Sequence, residues 1–360
     1  MRTDPPEDDC LEISLFGPGK GECVLIHIGS GRWISVDSCF DQRRRNNPAL
    51  KYLAELEVDT TTSMRMIVAT HAHDDHFAGI SDIFAACPSA TFVCSSALTT
   101  PEFFALTDLE EQAHAGLPIR AYSEYRTVFK LVEARTSREF SPMGYAWASK
   151  ILFSDNSGVA PARVIALSPS DIAFTRAQQA LAKAIPKADD AKKVDAIDPN
   201  ELAIALWVEL GDKVALLGAD LTPGPTGCGW QAVLATFSPE DTAKVYKVSH
   251  HGSVTGNHPG IWSQLLADSP IAILTPFRGR KLLPDMADRR RIYSQTSSAH
   301  ITASVNRPSA SKQVRRETAS LDPLAKNVRE PWGRCGHVRV RCRIGQTDWR
   351  VERFPPAQKL

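Results

Sequence analysis

The sequence predicts an α/β fold in which helices cover β-sheets. Apolar segments of strand length, rich in β-branched and aromatic residues, alternate with turn residues and with longer helical patterns. The segments that support strands are LEISLF, ECVLIHI, RWISVD, MIVAT, ATFVCS, ARVIAL, LAIALWVEL, KVALLGAD, KVYKVS and IAILTPF. Two helices are predicted where a Ser–Asp pair can cap an apolar pattern, at SDIFAAC from Ser81 and at SDIAFTRAQQALAKAI from Ser170.

The composition is typical of an ordinary soluble protein. With 360 residues, of which 43% are hydrophobic, the chain can bury one large core or two smaller ones. No run of about 18 apolar residues occurs, so no membrane span is predicted. The acidic start MRTDPPEDDC lacks the apolar stretch of a signal peptide, and the eight cysteines form no CxxC pair. We therefore expect a cytoplasmic protein with reduced thiols and no membrane association.

The segment THAHDDHFAG, residues 70–79, concentrates metal-binding side chains after the predicted strand MIVAT. His71 and His73 are followed closely by Asp75 and His76. Imidazole and carboxylate groups are the ligands expected for a borderline metal such as Zn²⁺. Because the spacing supplies two ligand pairs, it suggests two metal ions that could activate water. A capping cluster of surface histidines is the alternative interpretation.

Other predicted strands also end in polar residues. Asp220 ends VALLGAD and could bridge two cations, while His250 and His251 end VYKVSHHGS. Asp37 ends RWISVD and could hydrogen-bond to a metal ligand. Four strand ends thus offer groups for one metal centre.

Several of these segments occur, in the same order, in a known family. The matching pieces are FGPGKGEC with Gly19, Gly21 and Glu22, WISVDS with Asp37, HAHDDHFAG, NELAIALWVEL with Asn200, GAD with Asp220, and SHHGS. With them the chain resembles the metallo-β-lactamase-fold metal-dependent hydrolases, most closely the hydrolase domain of ComEC-type DNA-uptake channel proteins. The resemblance covers residues 11–277 and implies an αββα sandwich with metals at the edge between two sheets.

The resemblance also implies a role for each site residue. The implied metal ligands are His71, His73, Asp75, His76, Asp220 and His250. The first two histidines would bind one metal, Asp75 and His76 the other, and Asp220 would bridge both. Of the two adjacent histidines, His250 is preferred as a ligand of the second metal, which leaves His251 to contact the substrate or a ligand. The predicted catalytic residues are Asp75, which would orient the water or move a proton, His251 and Asp37.

One position departs from the family pattern. Relatives often carry a third histidine for the first metal in an LHP-like turn, and the matching turn here reads LSPSD with Ser168 in its place. Asp171 or a water could fill the gap, so a weak first site, a one-metal enzyme and an oxygen-richer site are three open outcomes. We expect one or two Zn²⁺ ions per chain, and an oxygen-richer site would favour Mn²⁺ or Mg²⁺.

Three functions fit these residues. The first is a phosphodiesterase or nuclease that acts on nucleic acid or nucleotides through a metal-bound hydroxide. It is supported by the HHGS resemblance and by a basic stretch, residues 278–316, with ten Lys or Arg against two acids. A solvated helix and loop face explains that stretch equally well. The second is hydrolysis of small esters, lactones or thioesters, and the third is a non-catalytic subunit that binds a partner.

Residues 278–360 lie outside the resemblance and are predicted to form a basic C-terminal extension. In it, HVRVRCRIG and DWRVERF alternate with period two around a GQT turn, which predicts a β-hairpin added to a sheet edge. The preceding PSASKQVRRETAS is polar and is predicted to be flexible. The extension could pair two subunits or bind another protein.

Overall fold

The computed structural model describes residues 4–18, 21–41, 46–96, 120–137, 141–184, 198–279, 281–306 and 335–360. Two eight-stranded sheets form the frame of these residues. Gly19 of the glycine turn and the segment predicted to be flexible at 308–320 lie outside the described ranges. So do five residues of the predicted basic stretch, Arg280, Arg307, Lys312, Arg315 and Arg316.

The first sheet contains β1 (Cys10–Gly17), β2 (Cys23–Ile28), β3 (Trp33–Val36), β4 (Met64–Ala69), β5 (Thr91–Ser95), β6 (Met143–Ala146), β16 (Gly336–Arg343) and β17 (Arg350–Phe354). These strands lie side by side in the order β17-β16-β1-β2-β3-β4-β5-β6. The pairs from β17 to β3 are antiparallel, whereas those from β3 to β6 are parallel.

The second sheet contains β7 (Lys150–Asp155), β8 (Ala162–Ala166), β9 (Leu206–Leu210), β10 (Lys213–Leu217), β11 (Ala243–Lys247), β12 (Leu266–Leu274), β15 (Ala299–Ile301) and β18 (Gln358–Lys359). Its order is β18-β15-β12-β11-β10-β9-β8-β7, with parallel pairs from β10 to β15. A small separate hairpin joins β13 (Phe277–Arg278) to β14 (Leu282–Leu283). Both large sheets therefore combine an antiparallel part with a parallel part.

The helices are α1 (Pro48–Glu55), α2 (Thr60–Ser63), α3 (Asp74–Phe77), α4 (Ile80–Ala86), α5 (Arg120–Arg135), α6 (Asp171–Ala184), α7 (Gly229–Thr236) and α8 (Met286–Tyr293). Ser170 caps α6, since its hydroxyl accepts a hydrogen bond from the Ala173 N–H. The predicted cap of α4 is wrong, because that helix begins at Ile80 after Gly79 and already includes Ser81. Within the described ranges, no helix combines the length and the apolar character needed to cross a membrane.

Apolar side chains form one layer between the sheets and one outside each sheet. Ile13 of the first sheet and Val245 of the second belong to the inner layer. Phe84 of α4 belongs to the layer outside the first sheet, and Trp230 of α7 and Ile292 of α8 to the layer outside the second. Burying this surface stabilises the fold by roughly 25 cal/mol per Å². The layers run helix, sheet, sheet, helix, which confirms the predicted αββα sandwich.

The C-terminal strands are built into both sheets. β16 pairs with β1 from Cys10↔Arg343 to Gly17↔Gly336, and β17 pairs with β16. β18 pairs with β15 at the edge of the second sheet. The division into a domain at 11–277 and an extension at 278–360 stays a prediction, but strands from both ranges share hydrogen bonds in each sheet.

Candidate metal centre

The predicted site residues meet at the carboxyl ends of parallel strands in both sheets. Asp37 follows β3, and the segment from His71 to His76 follows its parallel neighbour β4. Asp220 lies just beyond β10, and a 3₁₀ turn, Ser249–Gly252, follows the parallel β11. Because parallel neighbours end at the same edge of a sheet, these groups converge between the two sheets.

Asp37 and Thr70 fix the ring of His76. One oxygen of Asp37, Oδ1, accepts the backbone N–H of Thr70 at 2.7 Å, and Oδ2 accepts the Thr70 hydroxyl at 2.7 Å. Nδ1 of His76 lies 2.7 Å from the same Oδ2. Because an ionised carboxylate only accepts, Nδ1 of His76 carries a proton, and in the neutral ring Nε2 keeps its lone pair. Asp37 thus acts on the site by orienting His76.

Thr275 fixes the ring of His251 in a similar way. Nδ1 of His251 lies 3.2 Å from the Thr275 hydroxyl oxygen and 3.3 Å from its carbonyl oxygen. The opposite atom, Nε2, lies 3.3 Å from Oδ2 of Asp75 and 3.4 Å from Oδ2 of Asp220. Phe277 packs against the ring of His251 with centroids 5.4 Å apart. His251 therefore presents Nε2 to two carboxylates.

His250 occupies a different position in the same turn. Its Nδ1 lies 2.9 Å from the hydroxyl oxygen of Thr255, and its ring lines the cleft beside the site. Both histidines have positive φ, +49° for His250 and +54° for His251, in the left-handed region that costs of order 1 kcal/mol for such residues. The ligand atoms of Asp75 and His76 cluster with that of His251 and not with that of His250. The choice of His250 as ligand stays a prediction, and these distances favour His251.

Asp75, His76 and His251 form one group of candidate ligands, and Asp220 lies beside it. Nε2 of His76 lies 3.5 Å from Oδ2 of Asp220, and ligand atoms of Asp75, His76 and His251 lie within 4.8 Å of one another. A tetrahedral cation about 2.0–2.1 Å from each donor would hold its donors about 3.3 Å apart. The separations around His251 and Asp220 fit that geometry.

Three buried polar atoms of this group have no hydrogen-bond partner among the described residues. They are Nε2 of His76, Nε2 of His251 and Oδ1 of Asp220. Leaving such an atom buried and unpaired costs about 1–3 kcal/mol. Two oriented imidazole lone pairs beside carboxylates are the donor set of Zn²⁺ and related divalent cations. The residues present therefore fit a metal ion.

The local charge also favours a cation. Burial disfavours the charged form of His251, but the charge of Asp220 outweighs it and raises the pKa of His251 to about 10. Burial opposes protonation of His76 as well, yet Asp220 and Asp37 raise the pKa of His76 well above its ordinary value. The carboxylates thus attract positive charge, which a bound divalent cation would supply in place of protons.

His71 and His73 form a second group beside the first. Nε2 of His71 lies 3.1 Å from Nδ1 of His73, and Nδ1 of His71 lies 3.0 Å from the Thr70 hydroxyl oxygen. Ligand atoms of His71, His76 and Asp220 lie within 4.8 Å of one another. A second cation would therefore have His71 as a buried ligand, with His73 beside it, and would share His76 and Asp220 with the first group.

Ser168 and Asp171 do not complete this second group. The Ser168 hydroxyl donates to the carbonyl of Ala203 at 2.6 Å and accepts the N–H of Ala205 at 2.9 Å, so the backbone uses both of its hydrogen-bonding roles. Asp171 is exposed at the start of α6. Neither residue belongs to a cluster of ligand atoms in the described chain.

Three residues near the centre were not assigned a role from the sequence. Lys247, at the end of β11, forms a buried ion pair with Glu22 and lies 3.6 Å from Oδ1 of Asp220. Thr275, after β12, contacts both His251 and Glu22. In the sequence, the feature that could have identified Lys247 is a lysine inside the apolar segment KVYKVS. In the sequence, Glu22 stands out only as part of the matching glycine turn.

The metal centre opens into a cleft of about 400 Å³. The cleft is lined by Ala72, His73, Asp74, Asp75, Asp220, His250, His251, Phe277 and Leu283. Its polar wall comes from the two histidine-bearing turns, and its apolar wall comes from the β13–β14 hairpin. A ligand in the cleft would therefore contact the centre on one side and apolar carbon on the other.

The basic helix α8 packs against the turn that carries His250 and His251. Arg291 supports this turn, since its Nη2 donates to the carbonyl of Gly252 at 2.5 Å while Nη1 lies 3.2 Å from Asp288. Arg290 is exposed on the same helix, and Lys281 is exposed before it. In the described part of the basic stretch, Arg291 thus supports the turn, whereas the side chains of Arg290 and Lys281 are exposed to solvent.

The chain matches no family model and no curated protein in sequence. Among solved structures, it is similar to a candidate metallo-β-lactamase from Thermotoga maritima, with 14% identity over 59% of this chain and 70% of the other and a TM-score of 0.31. For Zn²⁺-bound PqqB from Methylobacterium extorquens the identity is 10%, the coverage is 62% of this chain and only 58% of the other, and the TM-score is 0.30. For a metallo-β-lactamase from Hirschia baltica the identity is 11%, the coverage is 62% of this chain and 72% of the other, and the TM-score is 0.27. At such TM-scores, the assignments above rest on the geometry of this chain.

Proposed function

We propose that the chain is a metal-dependent hydrolase whose metal is held by Asp75, His76, Asp220 and His251. One observation carries the proposal: the Nε2 atoms of two oriented, buried histidines have no hydrogen-bond partner among the described residues, and each lies 3.4–3.5 Å from Oδ2 of Asp220, a separation expected between cation donors. When bound, a cation such as Zn²⁺ would lower the pKa of water and polarise the bond to be cleaved.

The side chains of the site have separate tasks in this proposal. Asp37 and Thr275 hold the two histidine rings with Nε2 toward the cation. The side chain of Asp75 is 30% exposed and lines the cleft, so it can orient an attacking water and accept its proton. His250 lines the same cleft and is placed to contact the substrate.

A phosphodiester in nucleic acid or a nucleotide is the proposed substrate. The resemblance to ComEC-type hydrolase domains, carried by HAHDDHFAG and SHHGS, supports this choice. The position of α8 supports it as well, because this helix packs on the turn that carries His250 and bears an exposed Arg290. Cations near the cleft would attract a phosphate backbone.

A small ester, lactone or thioester is the second candidate substrate. Phe277 and Leu283 give the cleft an apolar wall, which a nucleic-acid backbone would not need. A compact apolar acyl group would bury itself against this wall while its carbonyl faced the metal centre.

We propose one tightly held metal and a weaker second one. The first has Asp75, His76 and His251 in one cluster, with Oδ2 of Asp220 3.4–3.5 Å from both histidines. The second has His71 and must share His76 and Asp220, and His73 adds only a contact with His71. Zn²⁺ suits the histidine-containing first position. The backbone bonds of Ser168 support the weaker second position, because they keep its hydroxyl from serving as a ligand.

Elemental analysis of purified protein, combined with cleavage assays, tests the proposal. Substrates should include single- and double-stranded DNA and RNA, cyclic dinucleotides, an aryl phosphodiester, a lactone and a thioester. Asp220→Asn should lose the metal and the hydrolysis together. The exposed Asp212, which pairs with Lys213 before β10, provides a matched control, and Asp212→Asn should keep both. Wild-type protein that holds no divalent cation after loading would contradict the proposal.

A further inference from the structure

Glu22 connects the first sheet to the second behind the metal centre. Its backbone N–H donates to the carbonyl of Asp75 at 2.9 Å. Gly21 makes this close approach possible, because φ there is +104° and a Cβ would lie 2.3 Å from the Asp75 carbonyl oxygen. The Glu22 side chain then extends to Lys247 and Thr275 of the second sheet. The glycine turn thus places a carboxylate where it reaches both halves of the site.

Lys247 holds one oxygen of this carboxylate. Its ammonium group forms an ion pair with Oε1 of Glu22 and donates to the carbonyl of Ala219 at 2.9 Å. Both charged side chains are buried, at 1% exposure for Lys247 and 3% for Glu22. Desolvating two charges is expensive, and replacing a buried ion pair by apolar residues is often neutral or stabilising. A contribution to stability is therefore a weak explanation for the presence of this buried ion pair.

The other oxygen of Glu22 controls the direction of a hydrogen-bond chain. Oε2 accepts the hydroxyl proton of Thr275. The Thr275 oxygen, having given its proton to Glu22, can act toward His251 only as an acceptor at 3.2 Å from Nδ1. Nδ1 of His251 must then carry a proton, as the Thr275 carbonyl oxygen 3.3 Å away, which can only accept, also requires. In the neutral ring Nε2, which lies 3.4 Å from Oδ2 of Asp220, then keeps the lone pair that a cation needs.

We infer that Glu22 and Lys247 are a positioning pair that, through Thr275, fixes His251 in the tautomer that binds a cation. The inference rests on the proposed function, since it concerns the same metal centre. Lys247 holds Glu22 in place, Glu22 orients the Thr275 hydroxyl, and Thr275 orients the imidazole. Neither Glu22 nor Lys247 needs to touch the cation for this effect.

Glu22→Gln tests the inference directly. A glutamine can donate its amide to the Thr275 oxygen, which frees the hydroxyl to donate to Nδ1 and leaves only the Thr275 carbonyl oxygen to favour the cation-binding tautomer of His251. We expect Co²⁺ and Zn²⁺ to bind about 10- to 100-fold more weakly in equilibrium dialysis, the range for loss of an outer-shell partner. The visible absorption of the Co²⁺ form should change as well. Lys247→Arg, which keeps the charge, should bind nearly as the wild type does.

Glu12→Gln is a matched control for a buried carboxylate away from the centre. Glu12 is fully buried on β1 and accepts hydrogen bonds from Tyr52 at 2.9 Å and Arg341 at 2.6 Å. This variant should lose stability without losing cation affinity. Denaturant unfolding of both variants separates damage to the fold from damage to the centre.

If Glu22→Gln fails to fold, two variants of Thr275 test the same chain of bonds. Thr275→Ser keeps the hydroxyl and should bind Co²⁺ as the wild type does, whereas Thr275→Val should bind it more weakly. Wild-type affinity and an unchanged Co²⁺ spectrum in Glu22→Gln, or in Thr275→Val where the former does not fold, would overturn the inference. A wild-type protein that binds neither cation would overturn the proposed function itself, and the inference with it.

Discussion

Nε2 of His251 lies 3.4 Å from Oδ2 of Asp220, although the two residues follow different strands of the second sheet. Because β10 and β11 are parallel neighbours, the segments after them leave the sheet at the same edge. The tight turn at Ser249–Gly252 then sends the two adjacent histidines in different directions. His250 contacts Thr255, and His251 contacts the carboxylates.

The two adjacent histidines should therefore differ when each is replaced by alanine. We expect His251→Ala to lose bound metal and His250→Ala to retain it, because only the former removes an atom within 3.5 Å of Asp75 and Asp220. Metal content of the two purified variants, measured side by side by elemental analysis, decides the point. The opposite pattern would restore His250 as the ligand.

Ser168 should matter to stability more than to metal content. Ser168→Ala leaves the buried carbonyl of Ala203 and N–H of Ala205 without the hydroxyl that pairs with both. We expect the free energy of unfolding to fall by about 1–3 kcal/mol. Metal stoichiometry should stay at the wild-type value. A loss of metal in a folded Ser168→Ala protein would show that the hydroxyl does serve the second metal position.

Accessible cations near the cleft should strengthen binding to a polyanion. The double variant Lys281→Ala, Arg290→Ala removes two exposed charges and spares Arg291, which holds the turn through Gly252. Each phosphate contact contributes about 0.9 to the salt slope on duplex DNA, so the slope should become shallower by up to about 2. Lys51→Ala, on α1, is the control and should bind as the wild type does. Equal salt slopes for the double variant and the wild type would show that the exposed side chains of α8 are only solvated and do not contact the phosphates.

The raised pKa of His251 couples the stability of the metal-free protein to pH. The pKa of this residue rises from 6.5 to about 10 on folding. Because the folded state binds the proton more tightly, the stabilisation is complete below pH 6.5 and is lost as pH rises through about 10. We expect the thermal midpoint of chelator-treated protein to fall across this window. His251→Ala should show a smaller fall, and an identical fall in both proteins would contradict the assignment.

Much of the fold follows from local patterns in the sequence. The central strands β1, β2, β4, β9 and β10 coincide with segments rich in buried apolar residues, because burial selects such residues. The strands β6 and β7 were not predicted. They lie at the sheet edges and are only partly buried, and their sequences, MGYA and KILFSD, carry an apolar run of at most three residues.

The candidate site was predictable only where its residues cluster along the chain. HAHDDH is recognisable because it holds five potential metal ligands within six positions, and Asp37 and Asp220 are recognisable as polar residues that end apolar strands. The pair of Glu22 and Lys247 joins two sheets, and sequence spacing carries no information about such a contact. The choice between His250 and His251 depends on two left-handed backbone conformations in one turn, which sequence periodicity does not encode.

The pairing of β1 with β16 has a consequence for biosynthesis. Ser14 and His337, whose side chains lie 2.9 Å apart across this pair, are separated by 323 residues along the chain. At about 5–20 residues per second, β1 leaves the ribosome roughly 15–65 s before its partner. During that time one edge of an apolar strand has no partner and is a target for pairing with other chains. Newly made protein should therefore depend on protection by chaperones until β16 emerges.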